Sequence, residues 1–424
     1  MQCTKAGQLT AMKGGGVGKC DAGKWRYAFA ADLPKAPSAG YTKRPTWYPT
    51  LDSVFAQSEA KCKPSTVKFT SPVLPIDHLA PSIPYGMMTG YHVTPIDHGY
   101  IGIDTLALSE ADRVKAAYLP ITSPAAGTVT EVQALDGTPP NYRMVINHGC
   151  GVYSVYMVMD QVASGLAAGS KVKAGQQIGS QRDHPMDFNV FSSATWLKGL
   201  ANPLSYAYGE AWKPYTTDPS AFWTPAIATA YANQMQRTAS PRWGRIDYDV
   251  AGAASGTWFL DGTAGYSGVP IATLKAGGWL QMGHVDGKNS YAYGHLSLAP
   301  HWVDPTVWMA SMGSFLDPNG DAGRADYGQF VIDTTGKPTP DKLTASNGIV
   351  VYDLYQPSAL GPDGKPYQPT SLTSPYPIGY KEGRGALMGS MAIRVNSDGS
   401  LTIETMATGT TFTAFTAAAR TFRH

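Results

Sequence analysis

Short apolar segments that alternate with polar residues run through this chain from Val67 to about Tyr206, broken by glycine, proline and aspartate. The alternation is clear in GTVTEV, YRMVINHG, VYSVYMVM and DFNVF. Because successive side chains of a strand point to opposite faces, a period of two predicts half-buried β-strands. The 46 glycines and 32 prolines among 424 residues provide the turns between them. We therefore predict a mainly β protein with few helices.

The length is sufficient for two or three domains, since one domain usually holds about 100 to 200 residues. In the last part of the chain, runs such as GTWFLDG, RIDYDVAG and NGIVVYDLY recur between turns, which favours a β-sandwich or a barrel. The predicted regions are a cysteine-bounded segment at 1–30, a linker and short helix at 31–66, a central antiparallel β-domain at 67–208, a linker and helix at 209–240, and an all-β domain at 241–424. Thr50 is expected to cap the first helix, and the second would place Ile227, Tyr231 and Met235 on one face.

Charge and hydropathy exclude several classes of partner. Lys and Arg total 33 and Asp and Glu total 31, so the net charge is only +2. The electrostatic field of such a chain is too weak to favour the binding of nucleic acid. No run of about 18 apolar residues is present, so no membrane-spanning helix is predicted. Only 15% of residues are charged, and the 24 tyrosines and 10 tryptophans are typical of a turn-rich extracellular protein. The first residues lack the apolar core of a signal peptide, so a secreted or cell-surface location implies an export signal absent from this sequence; the alternative is a cytoplasmic protein.

The four cysteines lack the C-x-x-C spacing of a zinc ribbon. A disulfide between Cys3 and Cys20 is predicted in preference to free thiols, because so short a segment cannot be stabilised by burial alone. Cys62 and Cys150 could form a second disulfide. The alternative is that Cys150 is a buried free thiol in a hairpin turn.

The order of motifs between Tyr100 and Phe191 resembles that of the lysostaphin-like peptidoglycan endopeptidases, a family of zinc metallopeptidases. The matching segments are YIGID from Tyr100, ITSPAAGTVTEV from Ile121, INHGCGVYSVYMVM from Ile146, VKAGQQIGS from Val172 and PMDFNV from Pro185. The resemblance covers only the central domain, about a third of the chain. It implies a β-domain with a groove that takes a cell-wall polymer.

The residues that correspond to the family's metal ligands are Tyr100, Asp104 and Asp187, so two imidazoles are replaced by oxygen groups. The family's general-base histidines correspond to Val158 and Pro185, and neither can transfer a proton. Because catalytic zinc favours His and Cys ligands, the resemblance implies a groove without the ordinary zinc hydrolase mechanism. Asp104 and Asp187 are expected to face each other, where they could share a proton, bind a hard cation with Tyr100, or serve the structure through hydrogen bonds.

Strand parity agrees with this placement. Ile101 and Ile103 would point to one face of the first segment, with Tyr100 and Asp104 on the other. In the last segment the apolar face would hold Met186, Phe188 and Val190, and the polar face Asp187 and Asn189. The positions that correspond to metal ligands therefore fall on a polar face that also carries Asn189.

Other histidines could restore an imidazole to this face. His98 lies two residues before Tyr100 and His184 three before Asp187, so a β-bulge in either strand could bring one back. A rebuilt metal site from His98, Asp104 and either His148 or His184 is therefore an alternative to loop histidines bonded to backbone.

Three tyrosines, Tyr91, Tyr153 and Tyr156, lie in the same segments and could rim the groove, where a flat ring can stack on a sugar. For Tyr156 a position in the core is the alternative.

The sequence predicts a secreted or cell-surface protein whose central groove binds cell-wall glycan, peptide or another extracellular polymer without ordinary zinc peptidase activity. The alternative is an extracellular hydrolase that uses the rebuilt metal site or Asp104 and Asp187 as an acid–base pair. The cofactor stays open between a divalent cation, Ca²⁺ or Zn²⁺, and none.

Overall fold

The computed structural model describes residues 3–11, 16–28, 40–89, 92–135, 137, 139–272, 291–313, 328–367 and 376–424. These residues form an N-terminal three-stranded sheet, a central unit of two sheets and a C-terminal closed barrel. The prediction of a mainly β protein is confirmed. Within the described ranges no helix is long and apolar enough to cross a membrane.

The N-terminal sheet consists of β1 (Leu9–Ala11), β2 (Val17–Asp21) and β3 (Lys24–Tyr27), paired antiparallel in that order. The predicted disulfide between Cys3 and Cys20 is present and ties the preceding segment to β2. The Tyr208 hydroxyl lies within hydrogen-bonding distance of the carbonyl oxygens of Val17 and Ala28, which fixes this sheet to the central unit.

The first helix, α1 (Leu51–Val54), is a single turn capped by Thr50 as predicted, because the Thr50 side chain accepts from the Ser53 N–H at 3.3 Å. The helix is shorter than the apolar spacing indicated, since Ala56 has φ 55° and takes the chain out of the helix. Beyond it, Cys62 forms a disulfide with Cys150 in the turn between two central strands, so the disulfide alternative holds.

The central unit contains two sheets. The larger sheet has the strand order β11-β7-β8-β9-β13-β5-β4, with β14 also paired to β13, and the smaller sheet has the order β10-β12-β6. The strands are β4 (Leu79–Ile83), β5 (Gly99–Ile103), β6 (Leu119–Thr122), β7 (Gly127–Ala134), β8 (Tyr142–Asn147), β9 (Val152–Met159), β10 (Gln161–Val162), β11 (Lys171–Val172), β12 (Gln177–Gln181), β13 (Met186–Ser192) and β14 (Thr216–Thr217), with helices α2 (Glu110–Arg113) and α3 (Leu204–Ala207).

Strand β13 lies between β9 and β5, and its register places Asp187 opposite both Met157 and Tyr100. The predicted apolar faces are confirmed, since one core contains the following buried side chains from the two strands: Ile101, Ile103, Met186, Phe188 and Val190. Asp187 and Asn189 therefore point to the opposite side of the sheet.

The segment predicted as a second linker is packed against the central unit. A 3-10 turn at Lys213–Tyr215 is buried, and β14 follows it directly and pairs with Val190 and Phe191 of β13. Helix α4 (Pro225–Gln234) follows, with Ile227 and Tyr231 buried, and Met235 is buried directly after it. The helix is where the sequence predicted it, but the residues before it are not a free connector.

The C-terminal strands close into an eight-stranded barrel in which β15 pairs with both β16 and β22. The strands are β15 (Gly256–Leu260), β16 (His295–Pro300), β17 (Trp308–Met312), β18 (Gly328–Ile332), β19 (Val350–Leu360), β20 (Lys381–Val395), β21 (Leu401–Ala407) and β22 (Arg420–Arg423). Of the two predicted architectures, the barrel is correct and the sandwich is not. The run RIDYDVAG is not a strand, because it makes the connection from the central unit to β15.

Candidate functional site

The polar face of β13 is buried, and Tyr100 beside it on β5 is half-buried. Asp187 is 4% exposed and Asn189 is 3% exposed, so these side chains do not line an open groove. Tyr100 is directly across from Asp187 in the antiparallel register. The expected polar face is therefore present, but other parts of the chain cover it.

His98 belongs to this face. Its Nε2 atom lies 3.5 Å from Asp187 Oδ2 and 3.4 Å from the Tyr100 hydroxyl oxygen. His98 lies in a bend directly before β5 and reaches the same side from there, with no register shift between β5 and β13. Its other nitrogen, Nδ1, lies 3.2 Å from Asp97 Oδ1.

A second ring of polar groups surrounds His98. The Trp212 indole Nε1 donates to Asp97 Oδ2 at 2.9 Å, and the Lys213 ammonium donates to Glu210 Oε2 at 2.6 Å. On the other side, His92 Nε2 lies 3.2 Å from the Tyr100 hydroxyl oxygen. Glu210, Trp212 and Lys213 come from the segment that the sequence predicted to be a linker.

Burial and charge shift the pKa values of this cluster in opposite directions. Burial raises the pKa of Asp187 to about 6, with His98 opposing the rise. Burial would lower the pKa of His98, but the carboxylates of Asp187 and Asp97 outweigh it and raise that pKa. For Asp97, burial is outweighed by Lys213 and His98, which hold its pKa well below the usual range. The two carboxylates therefore favour the protonated form of His98, while Asp97 stays ionised.

The pKa values of the outer groups follow the same causes. Burial, with the nearby His98 and Lys213, lowers the pKa of His92 to about 3, so this imidazole is neutral. Burial opposes the charge on Lys213, but Glu210 and Asp97 outweigh it and raise the pKa of the ammonium group.

Asp104 does not join this cluster. The chain leaves β5 at Ile103 and enters a 3-10 turn, Asp104–Ala107, so the side chain no longer follows the strand alternation. Its Oδ2 atom lies 2.8 Å from His78 Nδ1, and both side chains are about half exposed, at 52% and 41%. The predicted pairing of Asp104 with Asp187, as an acid–base pair or as joint metal ligands, is therefore replaced by a surface pair with His78.

His148 and His184 also lie away from His98. His184 Nδ1 pairs with Asp160 Oδ1 at 2.8 Å, and this hydrogen bond raises the pKa of the imidazole. His148 Nδ1 donates to the Ala126 carbonyl at 3.0 Å, which leaves Nε2 to accept from the Ser154 hydroxyl at 2.8 Å. Neither histidine completes the rebuilt metal site that the sequence allowed.

The environment of His148 predicts an acid-sensitive contribution to stability. Burial lowers the pKa of His148 to about 4, so the unfolded chain takes up this proton first as pH falls. The stability advantage of the wild type over His148→Gln should be complete above pH 6.5 and should shrink by about 2 to 3 kcal/mol on going to pH 4. Urea unfolding of both proteins across this range checks the prediction, and a constant difference would contradict it.

Tyr153, predicted to rim a groove, does not do so. Tyr153 is fully buried; its hydroxyl donates to Asp52 Oδ1 at 2.6 Å and its ring stacks on Phe55 at 4.5 Å between ring centres. The reason is that α1 and the residues after it cover this face of β9. Tyr91 lies outside the described residues.

Residues 96–187 match the family model for Peptidase family M23. The chain contains an M23 peptidase domain. This confirms the family resemblance found in the sequence, for the central part of the chain. The search of curated proteins found no match to this sequence.

Two solved structures show how far the similarity extends. Csd3 from Helicobacter pylori is 20% identical over 30% of this chain and 30% of its own length, with a TM-score of 0.22. The catalytic domain of EnpA, a prophage-encoded M23 protein from Enterococcus faecalis, is 18% identical over 29% of this chain and 86% of that domain, with a TM-score of 0.21. The similarity thus spans less than a third of Csd3.

The zinc expected of an M23 domain does not fit the corresponding residues here. Tyr100 and Asp187 face each other in the buried cluster, whereas Asp104 is held at the surface by His78. In the part of the chain that the structure describes, no three His, Cys, Asp or Glu side chains are grouped to hold a metal ion. The M23 ligand set is therefore not reproduced.

Sequence reasoning gave no functional role to Glu210, Trp212 and Lys213. A signal was available, because a lysine, a glutamate and a tryptophan within four residues can together form a buried ion pair and an indole donor. Nothing local, however, indicated that they would lie against Asp97, more than a hundred residues earlier.

Proposed function

We propose that this M23 domain binds a peptidoglycan-like polymer of the bacterial cell wall and does not cleave it by the ordinary zinc mechanism. The observation that carries the proposal is the separation of Asp104, paired with His78, from the half-buried Tyr100 and the buried Asp187. A catalytic zinc site needs three protein ligands and an open fourth position, and neither condition is met by these residues.

The surface that best suits a polymer is a cleft of about 400 Å³ beside Asp104. Its lining residues are His78, Asp104, Thr105, Leu108, Ala116, Ala117 and Leu119. The His78–Asp104 pair provides exposed hydrogen-bonding groups at one wall, and the small apolar side chains provide the other. This combination suits a ligand with both polar and apolar groups, such as a cell-wall peptide.

Exposed apolar side chains concentrate around this cleft. The described residues include seven exposed large hydrophobic side chains. Four of them lie in the segments 76–78 and 104–119, which form the cleft: Ile76, Leu108, Val114 and Tyr118. Exposed apolar side chains that lie close together are more typical of an interaction surface than apolar side chains that are scattered singly. The two disulfides and the membership of the domain in the M23 family support a secreted or cell-wall-associated location.

A pair of matched variants tests the cleft. Leu108 is 41% exposed in the cleft and Leu387 is 43% exposed on the barrel, so the two leucines are matched in exposure. In co-sedimentation with insoluble peptidoglycan, Leu108→Asp should weaken binding about tenfold or more, because it places a charge against apolar ligand groups. Leu387→Asp should bind like the wild type. Equal loss in both variants, or no binding by the wild type, would remove the cleft as the binding surface.

A further inference from the structure

Five exposed lysines lie around one end of the central sheet, near the turn that connects β8 to β9. We call them the lysine surface, and they are Lys61, Lys63, Lys68, Lys171 and Lys173. Among the described residues, none of the five takes part in an ion pair. Three lysines of the barrel, in contrast, are each paired with an aspartate: Lys337, Lys342 and Lys365. The charge of the lysine surface is therefore not neutralised within the described part of the chain.

A disulfide holds the first two lysines at the β8–β9 turn. Cys62 is bonded to Cys150 in this turn, so Lys61 and Lys63, on either side of Cys62, lie beside it. The Thr66 hydroxyl oxygen is 3.3 Å from the Cys150 sulfur, which keeps the following residues at the same place. The segment that carries three of the five lysines is thus fastened to the end of the sheet.

The other lysines are held by neighbours of the same turn. The ring of Phe69, the residue after Lys68, lies 5.1 Å from the ring of His148, which directly follows β8. The Nδ1 atom of His148 donates to the carbonyl of the residue before β7, and β11 pairs with the first two residues of β7. On β11, Lys171 Nζ donates to Thr128 Oγ1 at 2.7 Å. The two lysine-bearing segments therefore meet on either side of one turn.

The burial pattern directs these side chains to solvent. Lys68 lies between Val67 and Phe69, and both of these neighbours are buried in the central core. Val172, which separates the two lysines of the later segment, is buried in the same core. Because successive side chains of extended backbone point to opposite sides, the lysines point away from that core.

Carboxylates are absent from the segments that meet at this end of the sheet. Neither Asp nor Glu occurs in residues 60–74, 120–130, 144–151 and 163–176. Of the acidic residues closest to them, Glu131 is paired with Arg143, and Asp52, which accepts from the Ala60 N–H, is buried. Only Glu59 adjoins the lysine surface as an exposed carboxylate. A local excess of positive charge on a chain with a net charge of +2 attracts an anionic partner to this place.

The other side chains of these segments limit the class of anion. Their one Phe, Tyr or Trp residue is Phe69, which is fully buried, so no exposed ring can stack on a nucleic-acid base. None of the large hydrophobic side chains that are exposed in the described structure lies in these segments, so none can enter a lipid bilayer. Lysine is a compact, strongly hydrated charge that binds phosphate without a fixed geometry. The surface therefore suits a phosphate-bearing polymer.

We infer that the lysine surface binds an anionic cell-wall polymer whose repeating units are joined by phosphodiesters. Isolated surface charges contribute little to binding at physiological ionic strength, whereas a row of ionised phosphates releases counterions when several lysines bind it. Such a polymer occurs where the two disulfides and the M23 domain support a location for this protein. The inference goes beyond the proposed cleft, with which the lysine surface shares no residue.

Binding of long-chain inorganic polyphosphate to the full chain tests the inference, because this probe has no bases and no acyl chains. The affinity of the wild type should fall with salt, with a slope of about −3 or steeper in a double-logarithmic plot. The triple variant Lys63→Gln, Lys68→Gln, Lys173→Gln should bind about 30-fold or more weakly in low salt, with a slope shallower by about 2. All three side chains are exposed, so an unchanged melting temperature is expected.

The matched control removes three positive charges from the barrel instead. Lys337→Gln, Lys342→Gln, Lys365→Gln changes the net charge equally, but its lysines belong to surface ion pairs. It should bind polyphosphate within about threefold of the wild type. Equal losses in the two triple variants, or no binding by the wild type in low salt, would overturn the inference.

Two further probes distinguish other classes of anion. Single-stranded DNA of the same charge, or vesicles with about a third of anionic lipid, should bind no more tightly than polyphosphate. Tighter binding of either probe that is lost in the lysine variant would assign the surface to that class and overturn the inference.

The cleft and the lysine surface can fail separately. Leu108→Asp should keep full binding of polyphosphate, and the lysine variant should keep its binding to peptidoglycan from which phosphodiester polymers have been removed. On cell walls that retain those polymers, the lysine variant should bind more weakly than the wild type. Equal binding of the two proteins to such walls would contradict the inference and leave the cleft unaffected.

Discussion

Replacing Lys213 by methionine is expected to lower the free energy of unfolding by about 3 to 5 kcal/mol. Lys213 is 3% exposed; its ammonium lies 2.6 Å from Glu210 Oε2 and 4.5 Å from the centre of the Tyr266 ring. Methionine has a similar length but no charge, so it leaves Glu210 and Asp97 buried without their cation. The loss comes from these uncompensated carboxylates rather than from lost packing. Urea unfolding of the two proteins measures it.

The double variant Lys213→Met with Glu210→Gln distinguishes the cost of uncompensated carboxylates from the cost of lost packing. Because the second substitution removes the stranded charge, the double variant should recover a large part of the loss, giving a coupling energy of about 1 kcal/mol or more. Lys342→Met is the matched control, since Lys342 is 76% exposed and pairs with Asp341 at the surface, and it should change stability by less than about 0.5 kcal/mol. A Lys213→Met loss as small as that of the control would contradict the buried ion pair.

Removal of the disulfide between Cys62 and Cys150 is expected to cost about 4 kcal/mol. The two cysteines are 88 residues apart, so the bond restricts a long loop of the unfolded chain. Alanine suits position 62, but Cys150 has φ 52°, and asparagine tolerates that conformation better. The variant Cys62→Ala with Cys150→Asn therefore measures the loss of the bond with little added backbone strain.

The other disulfide provides the comparison. Cys3 and Cys20 are only 17 residues apart, so loss of that bond should cost about 3 kcal/mol at most. We expect its effect to be confined largely to the N-terminal sheet, as measured by protease sensitivity of the first residues. An equal or greater loss of global stability from the Cys3–Cys20 variant would contradict the loop-length argument.

The sequence predicted those parts of the fold that depend on local alternation. Strands β7, β8, β9 and β13 follow the predicted period of two, and their apolar residues form the central core. In the barrel, β16, β17 and β22 were missed. For β17 and β22 the reason is that WMASM and RTFR show no clear division into an apolar and a polar face.

The part of the candidate site that follows strand alternation was predicted from the sequence. Parity alone places Tyr100, Asp187 and Asn189 on one face. His98 reaches the same face from a bend just before β5, where the parity rule does not apply. Parity failed for Asp104, where the strand ends and a 3-10 turn begins, since the rule applies only while the backbone stays extended. The covering of this face by Trp212 and Lys213 is a long-range contact, and no local pattern encodes it.

The central claim is that this M23 domain retains a polymer-binding surface without the ordinary zinc peptidase reaction. The most direct measurement is incubation of the protein with a suspension of purified peptidoglycan and zinc, in which turbidity and bound protein are followed in the same sample. We predict that the protein is found in the pellet, that turbidity stays constant, and that Leu108→Asp remains in the supernatant. A zinc-dependent fall in turbidity with release of new amino groups would contradict the account.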